Sequence, residues 1–219
     1  MPLFTHPILQ QSFAIIDREI GEHSFTPDEY AVVRRVIHST ADFEFKDLVR
    51  FSPGAIENAI AALQQQIPIV TDVSMVKQGV ATMVTQTFGN PLLSAVDQVA
   101  EALPGKTRTE TGMLQCFKEF PEAIYVIGNA PTALLALCAC LPTLRQPALI
   151  IGAPVGFISV LESKAALAQT PVPQIRVDGR KGGSPVAAAI LNALLVLAWE
   201  REGRKKEAGG RRQGLGSGD

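Results

Sequence analysis

A histidine stands among charged and hydroxyl side chains in the segment from Arg34 to Phe43, which reads RRVIHSTADF. Its imidazole is the side chain whose ordinary pKa allows a change of charge near neutral pH. His38 follows Arg35, whose cation would attract an acidic ligand, and precedes two hydroxyls and a carboxylate. A proton donor beside a cation predicts general acid–base chemistry on an anionic substrate. The alternative is a histidine that only caps the end of a helix.

Two helices near the N-terminus should position this histidine. Apolar residues spaced three and four apart predict a first helix from about Pro7 to Ile20, which carries Ser12. A second helix begins at residues 26–29, where TPDE forms a capping box with proline in the first turn. His38 then lies in the last turn, where exposed carbonyls and the helix dipole favour the protonated imidazolium. This position predicts a general acid.

Short apolar runs rich in β-branched residues alternate with helical segments along the rest of the chain. The predicted strands are Ile67–Val73, Ala123–Ile127, Ala148–Ile151 and Ile175–Val177. Strands that alternate with crossover helices predict a mostly parallel sheet with helices on both faces. We therefore expect a single α/β domain with a Rossmann-like three-layer architecture.

The turns that follow these strands are the natural place for a ligand, because open parallel sheets bind ligands beyond the carboxyl ends of their strands. They are Thr71–Asp72, Gly128–Ala130, Gly152–Gly156 and Asp178–Ser184. Their side chains and free amides could converge on one pocket, and helix N-termini favour anionic groups. Arg180 and Lys181 add positive charge there. For each glycine turn, plain loop geometry is the alternative.

Composition and missing motifs exclude several classes of protein. A formal net charge of −1 over 219 residues argues against a broad nucleic-acid surface. The sequence contains no G-x-G-x-x-G after an early strand, no phosphate-binding loop and no nucleophile elbow. Its three histidines have no cysteine or carboxylate grouping around them that would predict a metal site.

The N-terminus has no basic segment before an apolar stretch, which predicts a cytoplasmic protein. The most apolar segment, Val186–Trp199, is too short to span a bilayer and predicts a buried helix. Three cysteines in apolar surroundings favour a reducing compartment. The composition becomes charged and glycine-rich near the C-terminus, so we predict one domain over residues 1–203 and a disordered tail over residues 204–219.

Several blocks, taken in order, resemble the precorrin-8X methylmutase family. They are Gln11–Ile16, Arg35–His38, Pro68–Val76, Thr107–Arg108, Ile127–Leu134, Pro154–Phe157, Glu162–Lys164 and Gly182–Ser184. The resemblance spans about Ser12 to Leu197, and the blocks around Asp72 and Asn129 are the most specific.

The resemblance implies an isomerase of cobalamin biosynthesis. Such an enzyme moves a methyl group from C-11 to C-12 of precorrin-8X, or of its cobalt-containing equivalent, and gives hydrogenobyrinate or cobyrinate. The catalytic histidine of the family falls on His38, its helix serine on Ser12, and its arginine after a threonine on Arg108. The resemblance implies a homodimer and no cofactor. It leaves open whether the substrate carries cobalt.

A corrin-type tetrapyrrole with several carboxylates needs local cations, and we expect Arg35, Arg108 and Arg180 to supply them. The other expected substrate contacts are Ser12, Thr71, Asp72, Gly128, Asn129 and Gly182. For Asp72, a structural role is an equal alternative. We expect no metal site, no nucleic acid and no membrane partner. A non-catalytic tetrapyrrole carrier on the same fold is the second functional hypothesis.

Overall fold

The computed structural model describes residues 6–141 and 145–213. The strands are β1 Val49–Phe51, β2 Ile69–Thr71, β3 Leu92–Ser94, β4 Ile124–Ile127, β5 Leu149–Gly152 and β6 Gln174–Val177. The helices are α1 Pro7–Glu19, α2 Pro27–Thr40, α3 Phe45–Leu48, α4 Ala55–Gln64, α5 Ser74–Gln86, α6 Arg108–Glu119, α7 Pro131–Cys140, α8 Val160–Ala168 and α9 Ser184–Gln213. A 3₁₀ turn, Ala95–Asp97, follows β3.

The strands form one sheet in the order β1-β6-β5-β4-β2-β3. The five strands from β6 to β3 are parallel, and β1 runs antiparallel to β6 at one edge. This arrangement confirms the predicted α/β fold with a mostly parallel sheet. The sequence did not predict the edge strands β1 and β3, because neither lies in a long run of apolar, β-branched residues such as the one that predicts β2.

Successive side chains of each strand point into two different apolar layers. In β4, Ile124 and Val126 face the layer that contains α2, α4, α5 and α9, whereas Tyr125 and Ile127 face the layer of α6, α7 and α8. Both faces of the sheet are therefore covered by helices. This leaves the two ends of the strands as the places where polar groups can meet a ligand.

Helix α9 lies at the centre of the first layer and contacts α2, α4 and α5. Its stretch from Ser184 to Arg204 is long and apolar enough to cross a membrane, but 67% of its most apolar window is buried inside the protein. The burial confirms the predicted core helix. The helix continues to Gln213, so residues 204–213 of the predicted tail are helical, whereas residues 214–219 lie outside the described part of the chain.

The order of the strands reverses between β2 and β4. The chain passes from β2 to its neighbour β3 and then returns to the opposite side of β2 to form β4. Helix α5, which follows β2, consequently packs in the α9 layer, and α7, which follows β4, packs in the other layer. The carboxyl ends of β2 and β4 thus border the crevice in which open α/β sheets commonly bind ligands.

Candidate functional site

His38 and Ser12 meet across the two N-terminal helices. Ser12 lies on α1 and His38 in the last turn of α2, with Ser12 Oγ 2.7 Å from His38 Nδ1. The predicted capping box fixes the start of α2, where Thr26 and Glu29 bond each other's backbone N–H. The helix ends at Ala41 in the left-handed conformation, with φ of 54°. Local signals at both ends of α2 therefore set the position of His38.

The histidine and serine line a pocket of about 370 Å³ between α1 and the end of α2. The rest of its lining is mainly apolar and includes Ile8, Ile15 and Phe43. Ile8 is 67% exposed and Ile15 47% exposed, so the pocket opens onto an apolar surface of α1. An apolar wall with a few polar groups is typical of sites that bind small molecules.

The protonation of His38 differs from the prediction. The sequence placed His38 at a helix end that favours the imidazolium, but burial lowers the pKa of His38, and the cation of Arg35 lowers it further. Arg35 lies three residues earlier on the same side of α2. The neutral imidazole is therefore the main form of the free protein at neutral pH. When the imidazolium does form, it is a stronger acid than an ordinary histidine.

Asp72 occupies the crevice between β2 and β4. Its side chain is fully buried. One carboxylate oxygen accepts the N–H groups of Val73 (2.9 Å) and Gly128 (3.1 Å), and the other accepts those of Asn129 (2.6 Å) and Ala130 (2.8 Å). Burial raises the pKa of this carboxyl, and the four N–H donors oppose that shift. The N-terminus of α7 would favour an anionic ligand, but the carboxylate of Asp72 already occupies this position.

The structure therefore corrects the role of the β2 turn. Thr71 is also fully buried, and its hydroxyl donates to the carbonyl of Leu93 at 3.1 Å. Neither Thr71 nor Asp72 presents side-chain surface that a substrate would touch, which favours the structural alternative for Asp72 and a structural role for Thr71 as well. Asn129 is exposed beside them, and its contact with substrate stays a prediction.

The glycines expected to contact substrate are needed for packing. A Cβ on Gly128 would lie 2.9 Å from Ser184 Cα, and a Cβ on Gly182 would lie 2.3 Å from the carbonyl oxygen of Ala153. The N–H of Gly183 donates to that same oxygen at 2.8 Å. The turns after β5 and β6 thus fit together with no room for side chains at these positions.

The sequence did not predict the role of Lys164. Its side chain is buried, and its Nζ donates to the carbonyls of Gly179 (2.7 Å) and Lys181 (2.8 Å) in the turn after β6. Burial lowers the pKa of Lys164 to about 8. A signal was present, because Val160, Lys164 and Leu167 share one side of α8 at helical spacing and are all buried. Lys164 therefore belongs to the buried face of α8.

A second lysine joins this turn to the His38 helix. The Nζ of Lys181 lies 2.6 Å from carboxylate oxygens of both Asp42 and Glu44, just beyond the end of α2. These ion pairs place His38 at the carboxyl edge of the sheet, beside the turn that carries Arg180. The structure thus brings the N-terminal helices and the last strand together at one site.

Two of the predicted cations lie near this junction. Arg35 is half-buried next to His38, and Arg180 is exposed with its Cζ 5.9 Å from the centre of the Phe157 ring. Among the described residues, neither guanidinium is in an ion pair with a carboxylate. Both therefore remain able to bind carboxylates of a ligand.

The third cation, Arg108, lies near the start of α7. It is the exposed first residue of α6, and the Thr107 hydroxyl lies 3.2 Å from that of Thr132 at the start of α7. Because α7 follows β4, Arg108 lies near the end of a strand that is two strand spacings, about 10 Å, from β6. A ligand that contacts both Arg180 and Arg108 must span more than one strand of the sheet edge.

The fold and the site together define the class of this protein. It is a three-layer α/β protein in which a hydrogen-bonded histidine and serine and separate arginines lie around the carboxyl edge of a parallel sheet. The side chains at this edge include an imidazole, which can take part in acid–base chemistry, and guanidinium groups, which can bind anions. Within residues 6–141 and 145–213, no three histidine, cysteine, aspartate or glutamate side chains are grouped to hold a metal ion.

Comparison with known proteins identifies the family. The model of the precorrin-8X methylmutase family matches residues 7–197. The chain is 57% identical to the cobalt-precorrin-8 methylmutase of Synechocystis, over 90% of this chain and 98% of the relative, and 40% identical to that of Leptospira interrogans, over 89% and 94%. The crystal structure of precorrin-8x methyl mutase from Thermus thermophilus superposes with a TM-score of 0.83 at 42% identity, covering 89% of this chain and 96% of that one. This chain belongs to the precorrin-8X methylmutase family.

Asp72→Asn tests whether the crevice depends on the buried carboxylate. We expect the free energy of unfolding to fall by about 3–5 kcal/mol, because a neutral amide replaces two charged acceptors and turns an NH₂ group towards N–H donors. Urea denaturation measures the change. Asp97→Asn, on the exposed 3₁₀ turn, is the matched control and should change stability by less than about 0.5 kcal/mol. An equally small loss for Asp72→Asn would contradict the assigned role.

Arg35→Met tests the electrostatic environment of His38. Removing the cation should raise the pKa of His38, because the imidazolium then has one repulsive neighbour fewer. Proton NMR titration of the imidazole ring measures this pKa without substrate. Lys118→Met makes the same change of charge on α6, in the opposite helix layer, and should leave the titration unchanged. The assignment is wrong if both variants give the wild-type curve.

Proposed function

We propose that this protein catalyses the migration of a methyl group from C-11 to C-12 of a corrin precursor, with His38 as the general acid. The observation that carries the proposal is the contact between His38 and Ser12 in an apolar pocket at the carboxyl edge of the sheet. Membership of the precorrin-8X methylmutase family supplies the reaction.

The chemistry fits what this site offers. In a methyl shift, the bond from the methyl carbon to C-11 breaks and the bond to C-12 forms, so the product has the same atoms and electrons as the substrate. The reaction needs no enzyme nucleophile and no external oxidant or reductant. It needs a macrocycle held in a reactive geometry and a proton that withdraws electron density from the ring. A placed general acid typically contributes about 10²–10⁴-fold to the rate.

The geometry leaves one ring nitrogen of His38 for this proton. Nδ1 is engaged by Ser12, so Nε2 is the nitrogen that faces a bound macrocycle. The lowered pKa of free His38 makes the imidazolium scarce at neutral pH, but carboxylates of a bound substrate would raise that pKa again. Substrate binding thus promotes protonation of its own catalyst.

The three arginines supply cations for the carboxylates of the substrate. Arg35 and Arg180 lie near His38 and Arg108 lies near the start of α7, which suits a ring with several carboxylate arms. Identities of 57% and 40% to cobalt-precorrin-8 methylmutases support a cobalt-containing ring as the natural substrate. The cobalt would enter and leave as part of the substrate.

Turnover tests the proposal and separates it from the second hypothesis, a non-catalytic carrier. Purified protein should convert cobalt-precorrin-8, and more slowly precorrin-8X, to the corresponding corrin, followed by the change in the absorption spectrum. His38→Ala should lower kcat by about 10²–10⁴-fold. Because the acid must be protonated, kcat/KM should fall as the pH rises through the pKa of free His38, and Arg35→Met should move this fall to higher pH. Tight product binding without turnover by the wild type would favour the carrier.

We also propose that two copies of the chain associate through the loop between β5 and α8. In that loop Phe157 is 86% exposed and Ile158 84% exposed, and adjacent large apolar residues at this exposure mark an interaction surface. We propose that the partner at this surface is a second copy of the chain, as the family resemblance implies.

We further propose a cytoplasmic location. Free thiols at Cys116, Cys138 and Cys140 support it, because such thiols stay reduced in the cytoplasm.

The double variant Phe157→Ser/Ile158→Ser tests this surface. Sedimentation equilibrium should show a monomer at concentrations where the wild type is a dimer, because the buried apolar area is lost. Met75→Ser, which removes another exposed apolar side chain at the start of α5, is the control and should stay dimeric. A persistent dimer with a raised KM would instead place the loop against the macrocycle.

A further inference from the structure

Helix α1 holds the serine of the proposed acid–base pair, yet it is an outer helix with little apolar anchorage. Of its residues only Ile16 is buried, together with Ile20 at its C-cap. Its C-terminal end is fixed by Lys46, whose Nζ donates to the carbonyl of Ile20 at 3.1 Å. Ser12 lies two turns from that end. Another contact must therefore fix the middle of the helix on α2.

That contact is built from α2 residues spaced four apart. Tyr30, Arg34 and His38 lie along the side of α2 that faces α1. The Phe13 ring of α1 sits between the last two, with Arg34 Cζ 4.3 Å from its centre and the His38 ring 5.6 Å away in an edge arrangement at 84°. Phe13 is the neighbour of Ser12 in the sequence, so a shift of this ring moves the serine as well.

Asp17 completes the contact. Arg34 Nη1 donates to both of its carboxylate oxygens, at 3.1 and 3.0 Å, and the Tyr30 hydroxyl donates to one of them at 2.5 Å. Burial and this hydrogen bond raise the pKa of Tyr30 to about 12, so the hydroxyl remains a donor throughout the working pH range. Arg34 thus makes an ion pair and hydrogen bonds with Asp17 and also contacts the ring of Phe13.

We infer that Arg34 is a positioning residue, which holds α1 against α2 through Asp17 and Phe13 so that the Ser12 hydroxyl stays on His38 Nδ1. The inference deepens the proposed function, since it concerns the same acid. A serine hydroxyl inside a helix can turn to the carbonyl four residues earlier. A small displacement of α1 would therefore transfer the Ser12 hydroxyl from the imidazole to its own backbone and release the ring.

The first experiment measures the contact without substrate, so its result does not depend on the proposed reaction. In ¹⁵N NMR at a pH where His38 is neutral, the Nδ1 shift in Arg34→Met and in Asp17→Asn should move towards the value found in Ser12→Ala. Arg18→Met removes an exposed cation from α1 and is the matched control, expected to keep the wild-type shift. An unchanged Nδ1 shift in folded Arg34→Met would overturn the inference.

The second experiment is a double-mutant cycle on turnover. Arg34→Met should lower kcat by about tenfold with little change in KM, because the reacting groups are misplaced while the substrate contacts remain. In the Ser12→Ala background, the same change should have little further effect. A full tenfold loss in that background would mean that Arg34 acts by another route, which contradicts the inference.

If Arg34→Met does not fold, Tyr30→Phe replaces it in the NMR experiment. This variant removes the hydroxyl that donates to Asp17, and it should move the Nδ1 shift in the same direction by a smaller amount.

Discussion

One buried carboxylate joins the two halves of the sheet. Asp72 directly follows β2, and it accepts hydrogen bonds from Gly128, Asn129 and Ala130 in the turn after β4, where the strand order reverses. Related folds use such a crevice and its helix N-terminus to hold a ligand anion. Here the protein occupies that position with its own anion, so a substrate rich in carboxylates must find partners elsewhere. The arginines that we propose as carboxylate partners accordingly lie outside the crevice.

The groups that we propose for catalysis come from elements outside the parallel core. His38 and Ser12 come from two N-terminal helices, and the neighbouring cation comes from the turn after the last strand. Side-chain contacts add to the backbone ladder between β1 and β6, which joins the segment after α2 to the last strand. The ion pairs of Lys181 with Asp42 and Glu44 connect the turn after β6 to the end of α2. Lys164 donates hydrogen bonds to two carbonyls of the same turn. A rigid sheet thus supports a site whose geometry depends on a few charged contacts.

The sequence predicts those parts of the fold and the site that depend on residues close together in the chain. The start of α2 followed from the capping box at Thr26, and the central strands followed from apolar runs long enough to recognise. The edge strands escaped because their short runs depend on neighbours for pairing. The burial of Lys164 depends on carbonyls contributed by a distant turn, and the protonation of His38 depends on burial and on Arg35. For Asp72 the sequence left two roles open, and only the N–H groups of the β4 turn decide between them.

The ion pair between Lys181 and Asp42 joins residues 139 positions apart in the sequence. A chain emerging from the ribosome therefore carries its histidine and serine long before it possesses the turn that completes their surroundings. No N-terminal fragment that ends before β6 can contain the assembled site. Pairing at such separation is slow to form, because the loop must close before the contact stabilises it. The groups that we propose for the reaction therefore come together only after β6 and the turn that follows it have been synthesised.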